Sequence, residues 1–111
     1  MRPSQKPRTA SFFHADGTQE TRTLDRKLPL ADYQALVGGF IEVVRVRHDG
    51  EVCDMVVNED GLGLGLPYNS QATELLESYW TEQYGPPENR LPQGTVAHVV
   101  GDVVILHGCR V

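Results

Sequence analysis

The chain has 111 residues, enough for a single domain whose hydrophobic core needs neither disulfides nor a metal for stability. Apolar residues make up 40% and charged residues 23%, ordinary values for a globular protein, and no apolar run is long enough for a membrane span. The formal charge of −5 is unevenly distributed, because residues 1–27 carry six basic against three acidic side chains and residues 28–111 carry four against twelve. Such an acidic body repels phosphate backbones, so nucleic acid is not an expected partner.

The first residues indicate the compartment and the domain boundary. Residues 1–8 contain two prolines and three basic side chains and have no apolar stretch typical of a signal peptide. We therefore predict a disordered basic arm over residues 1–8, a single domain over residues 9–111 and a cytoplasmic location without membrane contact. Cys53 and Cys109 are the only cysteines, and we expect free thiols unless the fold brings their Cα atoms within roughly 7 Å.

Two stretches near the start predict a β-hairpin. Residues 11–14 and 18–24 flank Asp16-Gly17, a pair typical of a two-residue hairpin turn. The second arm is polar on both faces, which is typical of an edge strand. Because an edge strand can also pair with a second copy of the chain, monomer and homodimer both remain open.

A short helix and a second hairpin follow. Residues 31–37 have helical apolar spacing, and Gly38 supplies a left-handed residue that ends the helix. Residues 40–47 and 52–58 are rich in Val and Ile and are joined by a turn at residues 48–51, which predicts antiparallel strands. On the second strand Cys53, Met55 and Val57 are predicted to face the core.

The next segment combines glycines with leucines before the longest helix. Residues 61–66 alternate Leu with Gly, which favours a strand edge where the glycines admit another backbone or a ligand. Asn69 or Ser70 is predicted to cap a helix whose apolar stripe runs over residues 72–80. Gly85, followed by two prolines, ends that helix.

The valine-rich end of the chain completes the sheet. Residues 96–100 and 102–106, separated by Gly101, form either a tight hairpin or one strand with a bulge. Strands and helices in this order predict an α+β fold, namely a small antiparallel sheet of hairpins with two helices packed on one face.

Four stretches resemble one family. Residues 34–42, 56–61, 65–72 and 100–104 are similar to the pattern LVGG-I-E, VNE-G, GLP-N-A and VGD, and the resemblance extends over residues 30–106. The family is domain of unknown function 3846, which is common in phages, plasmids and bacterial genomes. The resemblance implies a single-domain, mobile-element protein and assigns no reaction to it.

The polar members of those four stretches are the first candidates for a site. Asn69 is predicted to be a helix cap, Asp102 a turn residue, and Asn58 a residue that satisfies turn amides through its side chain. Glu42 differs, because it lies among Phe and Ile, where a carboxylate needs water or a partner. For Glu42, simple exposure and a role in binding or in a polar network both remain open.

Several kinds of chemistry find little support in the sequence. The four histidines are accompanied by no nucleophile elbow, and we predict no catalytic residues. His107 and Cys109, completed by Cys53 or His98, could form a zinc site, but no metal-type spacing joins them, so neither a metal nor another cofactor is expected. Residues 61–65 lack the Lys-Ser/Thr end of a phosphate loop, although glycine amides before a helix could hold a small anion.

The functional prediction is a non-catalytic binding protein of phage or mobile-element origin that binds a host protein or sequesters a small, anionic ligand. The residues predicted to bind lie around the 61–69 segment: Glu42, Asn58, Glu59, Gly63, Gly65, Tyr68 and Asn69. The alternative is a small enzyme or a ligand-binding regulatory module that uses the turn residues Asn58, Glu59 and Asp102 together with a histidine.

Overall fold

A computed structural model describes residues 8–111. The described chain contains five strands and two α-helices, in the order β1 (Arg8–Phe13), β2 (Gln19–Leu24), α1 (Leu30–Val37), β3 (Ile41–His48), β4 (Glu51–Asn58), α2 (Ser70–Tyr84) and β5 (Val103–His107). A short 3-10 helix, Pro87–Asn89, follows α2. The predicted α+β class with an antiparallel sheet is confirmed. The predicted disordered arm lies outside the described residues except for Arg8, which begins β1.

All five strands form one antiparallel sheet in the order β2-β1-β5-β4-β3. The two hairpins, β1–β2 and β3–β4, are joined by β5, which pairs with β1 on one side and with β4 on the other. Every residue of β5 is buried, as its Val- and Ile-rich sequence requires, whereas β2 is exposed at the edge. The predicted position of β2 at a sheet edge is therefore confirmed.

The two hairpins have different turns. The prediction of a two-residue turn at Asp16-Gly17 is wrong. Gly17 N–H donates to His14 O at 2.9 Å, and His14 N–H donates to Thr18 O at 2.9 Å. Among the residues between His14 and Thr18, only Gly17 has a positive φ. This is a three-residue loop in which glycine occupies the left-handed position. The β3–β4 hairpin instead has a two-residue turn, in which Asp49 (φ 52°) and Gly50 (φ 82°) are both left-handed.

Both helices begin and end where the sequence indicates. Gly38 ends α1 in a left-handed conformation and donates to Gln34 O. Asn69 caps α2 by accepting from Ala72 N–H, and Gly85 ends it. Leu76 of α2 is buried and Trp80 is partly buried against the same cluster, so the predicted apolar stripe of α2 packs on the sheet.

The helices cover opposite faces of the sheet, so the prediction that both pack on one face is wrong. One core cluster joins α2 to the odd-numbered residues of β4 and β5, namely Cys53, Met55, Val57, Val103 and Ile105. The other joins Tyr33 and Val37 of α1 to the even-numbered residues Val56, Val104 and Leu106. Successive strand side chains point to opposite faces, and the two central strands are apolar on both. Each face therefore needs its own helix.

The predicted strand over residues 61–66 is also wrong. This segment is a compact turn in which Leu64 N–H donates to Asp60 O at 2.9 Å and Leu66 N–H donates to Gly61 O at 3.1 Å. The physical reason is that the segment satisfies its own backbone hydrogen bonds at a tight reversal. Leu62 and Leu64 consequently lie in solvent.

Residues 96–106 form neither a hairpin nor a bulged strand. Val100 makes an isolated bridge with Tyr68, and Asn69 N–H donates to Val99 O at 2.9 Å. Gly101 (φ 77°) then turns the chain into β5. Residues 99–100 therefore pair with the segment before α2, and the N–H groups of Ala97 and Val99 donate to the Glu77 and Thr73 side chains of α2, because β5 itself is paired on both sides. Within residues 8–111, no helix combines the length and the apolar character needed to cross a membrane.

Candidate functional site

Three of the predicted site residues come together beside the 60–66 turn. Glu42, Asn58 and Glu59 line a small cavity of about 110 Å³ with the side chains of Leu62 and His98. The cavity lies where β3, the end of β4, α2 and the 98–100 segment meet. We call the exposed side chains around it the loop surface, which consists of Phe40, Glu42, Glu59, Leu62, Leu64 and Tyr68.

Asn58 supports this region from beneath. Its Oδ1 accepts from Asp60 N–H at 2.8 Å, and its Nδ2 donates to Val37 O at 3.0 Å. The predicted role in satisfying a turn amide is confirmed, and the same side chain also ties the end of α1 to the turn. Because Asn58 is buried and both ends of its amide are engaged, its role is to hold the loop in place.

Asn69 has a structural role of the same kind, and the predicted helix cap is confirmed. Its side chain is 1% exposed; Oδ1 accepts from Ala72 N–H at 3.1 Å, while Nδ2 donates to Phe13 O at 2.8 Å and to Gly101 O at 2.9 Å. The side chain therefore joins α2, β1 and the turn before β5. It is too deeply buried to contact a partner.

The glycines of the loop do not form an anion cradle. Gly61 donates its backbone N–H group to Asn58 O at the end of β4, and Leu64, Gly65 and Leu66 donate theirs to carbonyls of the same turn. Gly63 and Gly65 are exposed, yet the turn begins with the carboxylates of Glu59 and Asp60. Engaged amides and nearby negative charge both argue against the predicted small anionic ligand at this position.

Large apolar side chains dominate the loop surface instead. Leu62 is 68% exposed, Leu64 61% and Phe40 67%. Tyr68 is 48% exposed, and its ring contacts His98 edge-on with centroids 5.1 Å apart. Leucine and phenylalanine side chains as exposed as these are typical of contact surfaces.

The backbone beneath these side chains is tightly packed. A Cβ at Gly61 would lie 2.8 Å from Val100 Cγ2, and one at Gly101 would lie 2.9 Å from Leu66 Cδ1. Only glycine lets the 60–66 turn approach the 99–101 segment so closely. The turn therefore presents its two leucines from a fixed backbone.

The residues of the predicted alternative, a small enzyme, do not line one cavity. Asp102 is engaged with the β1–β2 loop: Oδ1 accepts from Ala15 N–H at 2.9 Å, and Oδ2 lies 3.2 Å from His14 Nδ1. Asn58 and Glu59 line the small cavity, and Asp102 does not. The carboxylate of Asp102 thus anchors a hairpin loop from the turn that precedes β5.

A second cluster of polar side chains lies at the far end of β3 and β4, on the face that α2 covers. His48, Glu51 and His107 line a cavity of about 430 Å³ with the hydroxyl groups of Thr9, Ser11 and Thr21. His48 Nδ1 lies 2.7 Å from His107 Nε2. His107 Nδ1 lies 3.1 Å from Glu51 Oε1 and 3.4 Å from Cys53 Sγ.

The sequence predicts only part of this cluster. It groups Cys53 and His107 as possible zinc ligands, together with Cys109 and His98. In the structure, Cys109 packs on the opposite face of the sheet and His98 lies against Tyr68 of the loop surface. His48 and Glu51 were assigned only to a turn, although their pairing across a two-residue hairpin was a sequence indication of proximity. The insertion of β5 beside β4, which brings His107 to them, had no local indication.

Burial dominates the electrostatics of the second cluster. It raises the pKa of the Cys53 thiol to about 11 and lowers the pKa of His48. In the metal-free protein Cys53 therefore stays protonated at neutral pH and is a poor nucleophile, whereas a thiol that binds a metal ion loses its proton. Both cysteines are free, as expected.

Comparison with known proteins identifies a family. The family described as "Domain of unknown function (DUF3846)" matches residues 9–109. Neither a curated protein nor a solved structure matches the chain.

Proposed function

The chain belongs to the DUF3846 family, and we propose that it is a non-catalytic binding protein of a phage or another mobile element that covers a protein of its host. The observation that carries this proposal is the pair Leu62 and Leu64, held out into solvent on a turn with a fixed backbone. Folding leaves these side chains in water, so their burial requires another molecule.

The leucine pair can supply substantial binding free energy. Full burial of a leucine side chain contributes about 1.5–3 kcal/mol. The 60–66 turn is closed by hydrogen bonds within itself and is packed against the 99–101 segment. Because the backbone is already ordered, binding has to overcome only a small loss of conformational entropy.

Charge indicates what kind of surface the partner presents. Glu42 and Glu59 line the same cavity as Leu62, and Asp60 begins the turn that carries both leucines. An apolar centre with an acidic border is complementary to an apolar pocket bordered by lysine or arginine. The excess of acidic residues over residues 28–111 adds long-range attraction to such a partner.

A non-catalytic role is favoured because polar side chains predicted for a site are occupied by hydrogen bonds to the backbone. Asn58, Asn69 and Asp102 each use their side chains to tie separate parts of the backbone together. A protein that acts by covering a host protein requires no turnover and acts in the host cytoplasm, where we place it.

The test is affinity capture from host lysate with a matched pair of variants. The double variant Leu62→Asp/Leu64→Asp puts two carboxylates at the centre of the loop surface. The control variant is Leu91→Asp, because Leu91 is a leucine in another loop and is 96% exposed. Both substitutions replace solvent-exposed leucine by aspartate, so they have the same effect on net charge per site.

We expect wild type and Leu91→Asp to retain the same host protein and the double variant to lose it. Central interface residues typically contribute 2 kcal/mol or more, so affinity for the purified partner should fall at least about 30-fold. Equal retention by the double variant would show that the partner binds elsewhere. Failure of the wild type to retain any host protein would contradict the proposal itself.

A further inference from the structure

Three side chains with different metal-binding atoms converge on the open end of the β4–β5 pair. We propose that Cys53 Sγ, His107 Nδ1 and Glu51 Oε1 bind a zinc ion, with a fourth position open to the 430 Å³ cavity. The site lies near the end of β3 at His48, about 20 Å along that strand from Glu42. It is therefore independent of the loop surface and of the proposed function.

The spacing of the donor atoms fits a single ion. Two atoms bound tetrahedrally to zinc at 2.0–2.3 Å lie about 3.3–3.6 Å apart. Cys53 Sγ lies 3.4 Å and Glu51 Oε1 lies 3.1 Å from His107 Nδ1, and all three atoms lie within 4.8 Å of one another. The two distances from His107 Nδ1 therefore differ from the edges of a coordination tetrahedron by no more than a few tenths of an ångström.

The other set of donors in the same region does not fit. His48, Asp49 and His107 also bring ligand atoms within 4.8 Å of one another. However, His48 Nδ1 and His107 Nε2 are 2.7 Å apart, which is a hydrogen-bond distance and too short for two nitrogens on one zinc ion. The two imidazoles are thus partners of each other, and only one of them faces the ion.

His48 then completes the site from outside the coordination sphere. A metal-bound histidine usually donates its second N–H to a neighbouring acceptor, which fixes its tautomer and its ring orientation. An ion on His107 Nδ1 would leave the ring proton on Nε2, which lies 2.7 Å from His48 Nδ1 and would donate to it, while Nδ1 faces Cys53 and Glu51. The Phe13 ring contacts the His48 ring edge-on, with the ring centroids 5.3 Å apart, and holds it in place.

The donor set and its surroundings favour zinc over other ions. One sulfur, one nitrogen and one carboxylate oxygen suit Zn²⁺, whereas Mg²⁺ and Ca²⁺ require oxygen ligands. Cys53 and His107 are 5% and 8% exposed, so they form a rigid inner wall. Glu51 and His107 line the cavity, which gives an ion a path inward and leaves room for an exchangeable water molecule.

The test is a metal titration of the full-length protein, purified without a polyhistidine tag. Co²⁺ is the spectroscopic probe, because a four-coordinate thiolate site gives a sulfur-to-cobalt charge-transfer band, and a chromophoric chelator reports Zn²⁺ affinity by competition. Cys53→Ser is compared with Cys109→Ser, and His107→Ala with His98→Ala. In each pair, the first variant removes a donor of the proposed site and the second removes a donor of the same type that lies outside it.

We expect one ion per chain, and we expect the thiolate band in wild type and in Cys109→Ser but not in Cys53→Ser. His107→Ala should weaken Zn²⁺ binding more than 100-fold, His98→Ala should leave it unchanged, and His48→Ala should weaken it about 10–100-fold.

The thiolate band keeps the test decisive if Cys53→Ser does not fold, because Cys109 is the only other cysteine. A band that persists in Cys109→Ser must then come from Cys53. Absence of stoichiometric binding to wild type, loss of the band in Cys109→Ser, or unchanged affinity in His107→Ala would each overturn the proposal.

Discussion

Replacement of Asn69 by alanine probes the point where α2, β1 and the turn before β5 are joined. The substitution removes the cap of α2, which costs about 1 kcal/mol. It also removes the Asn69 amide that donates to the carbonyls of Phe13 and Gly101 in a buried position, at about 1–3 kcal/mol each. We expect the free energy of unfolding to fall by about 3–7 kcal/mol, a large part of the 5–15 kcal/mol typical of a domain.

The assay is equilibrium urea unfolding, followed by far-ultraviolet circular dichroism and tryptophan fluorescence. Two further variants separate the contributions. Ser70→Ala changes the exposed neighbouring residue and should shift stability by less than about 0.5 kcal/mol. Asn69→Asp retains an acceptor for Ala72 N–H but turns a carboxylate oxygen toward two carbonyl oxygens, so it should be at least as destabilising as alanine.

A loss below about 1.5 kcal/mol in Asn69→Ala would mean that only the cap contributes. Full tolerance of Asn69→Asp would have the same meaning. Either result would refute the inference that this one amide ties three elements together.

Three further predictions concern other parts of the fold. Gly50→Ala should lower the free energy of unfolding by about 1–2 kcal/mol in urea, because Gly50 has a φ of 82°. The control Gly63→Ala should have little effect, because φ is ordinary at Gly63 and a Cβ there would contact only Asp60 O, at 3.6 Å. The hydrogen bond from Arg90 lowers the pKa of Glu77, so Glu77 stabilises the fold at neutral pH and that contribution disappears as the pH falls through its lowered pKa. The stability difference between wild type and Glu77→Gln should therefore shrink in acid when unfolding is measured across a pH series, and a difference independent of pH would contradict this. The Tyr33 hydroxyl is buried without a hydrogen-bond partner among the described residues, so Tyr33→Phe should leave the unfolding temperature unchanged or raise stability by up to about 1 kcal/mol; a clear loss would reveal a missed partner.

The elements could be predicted from the sequence wherever local chemistry decides. Gly38 and Gly85 end helices, Asn69 caps one, and the polar residues of β2 indicate an edge strand. Each depends on a backbone conformation or a hydrogen bond within a few residues, so a single sequence carries the information. Glu42, Asn58 and Glu59 do line one cavity, and their part in binding stays a prediction.

What the sequence by itself determined about this protein was therefore its two helices with their caps and the strands of its sheet, whereas the turn at residues 60–66 was wrongly predicted as a strand. Only the tertiary structure decided which helix covers which face, because β4 and β5 are apolar on both faces and nothing local assigns one face to α1 and the other to α2. The insertion of β5 between the hairpins likewise has no local cause, since it depends on pairing between strands more than 40 residues apart. That pairing is what brings His107 to Cys53 and Glu51, and long-range strand order is the property that local propensity does not encode.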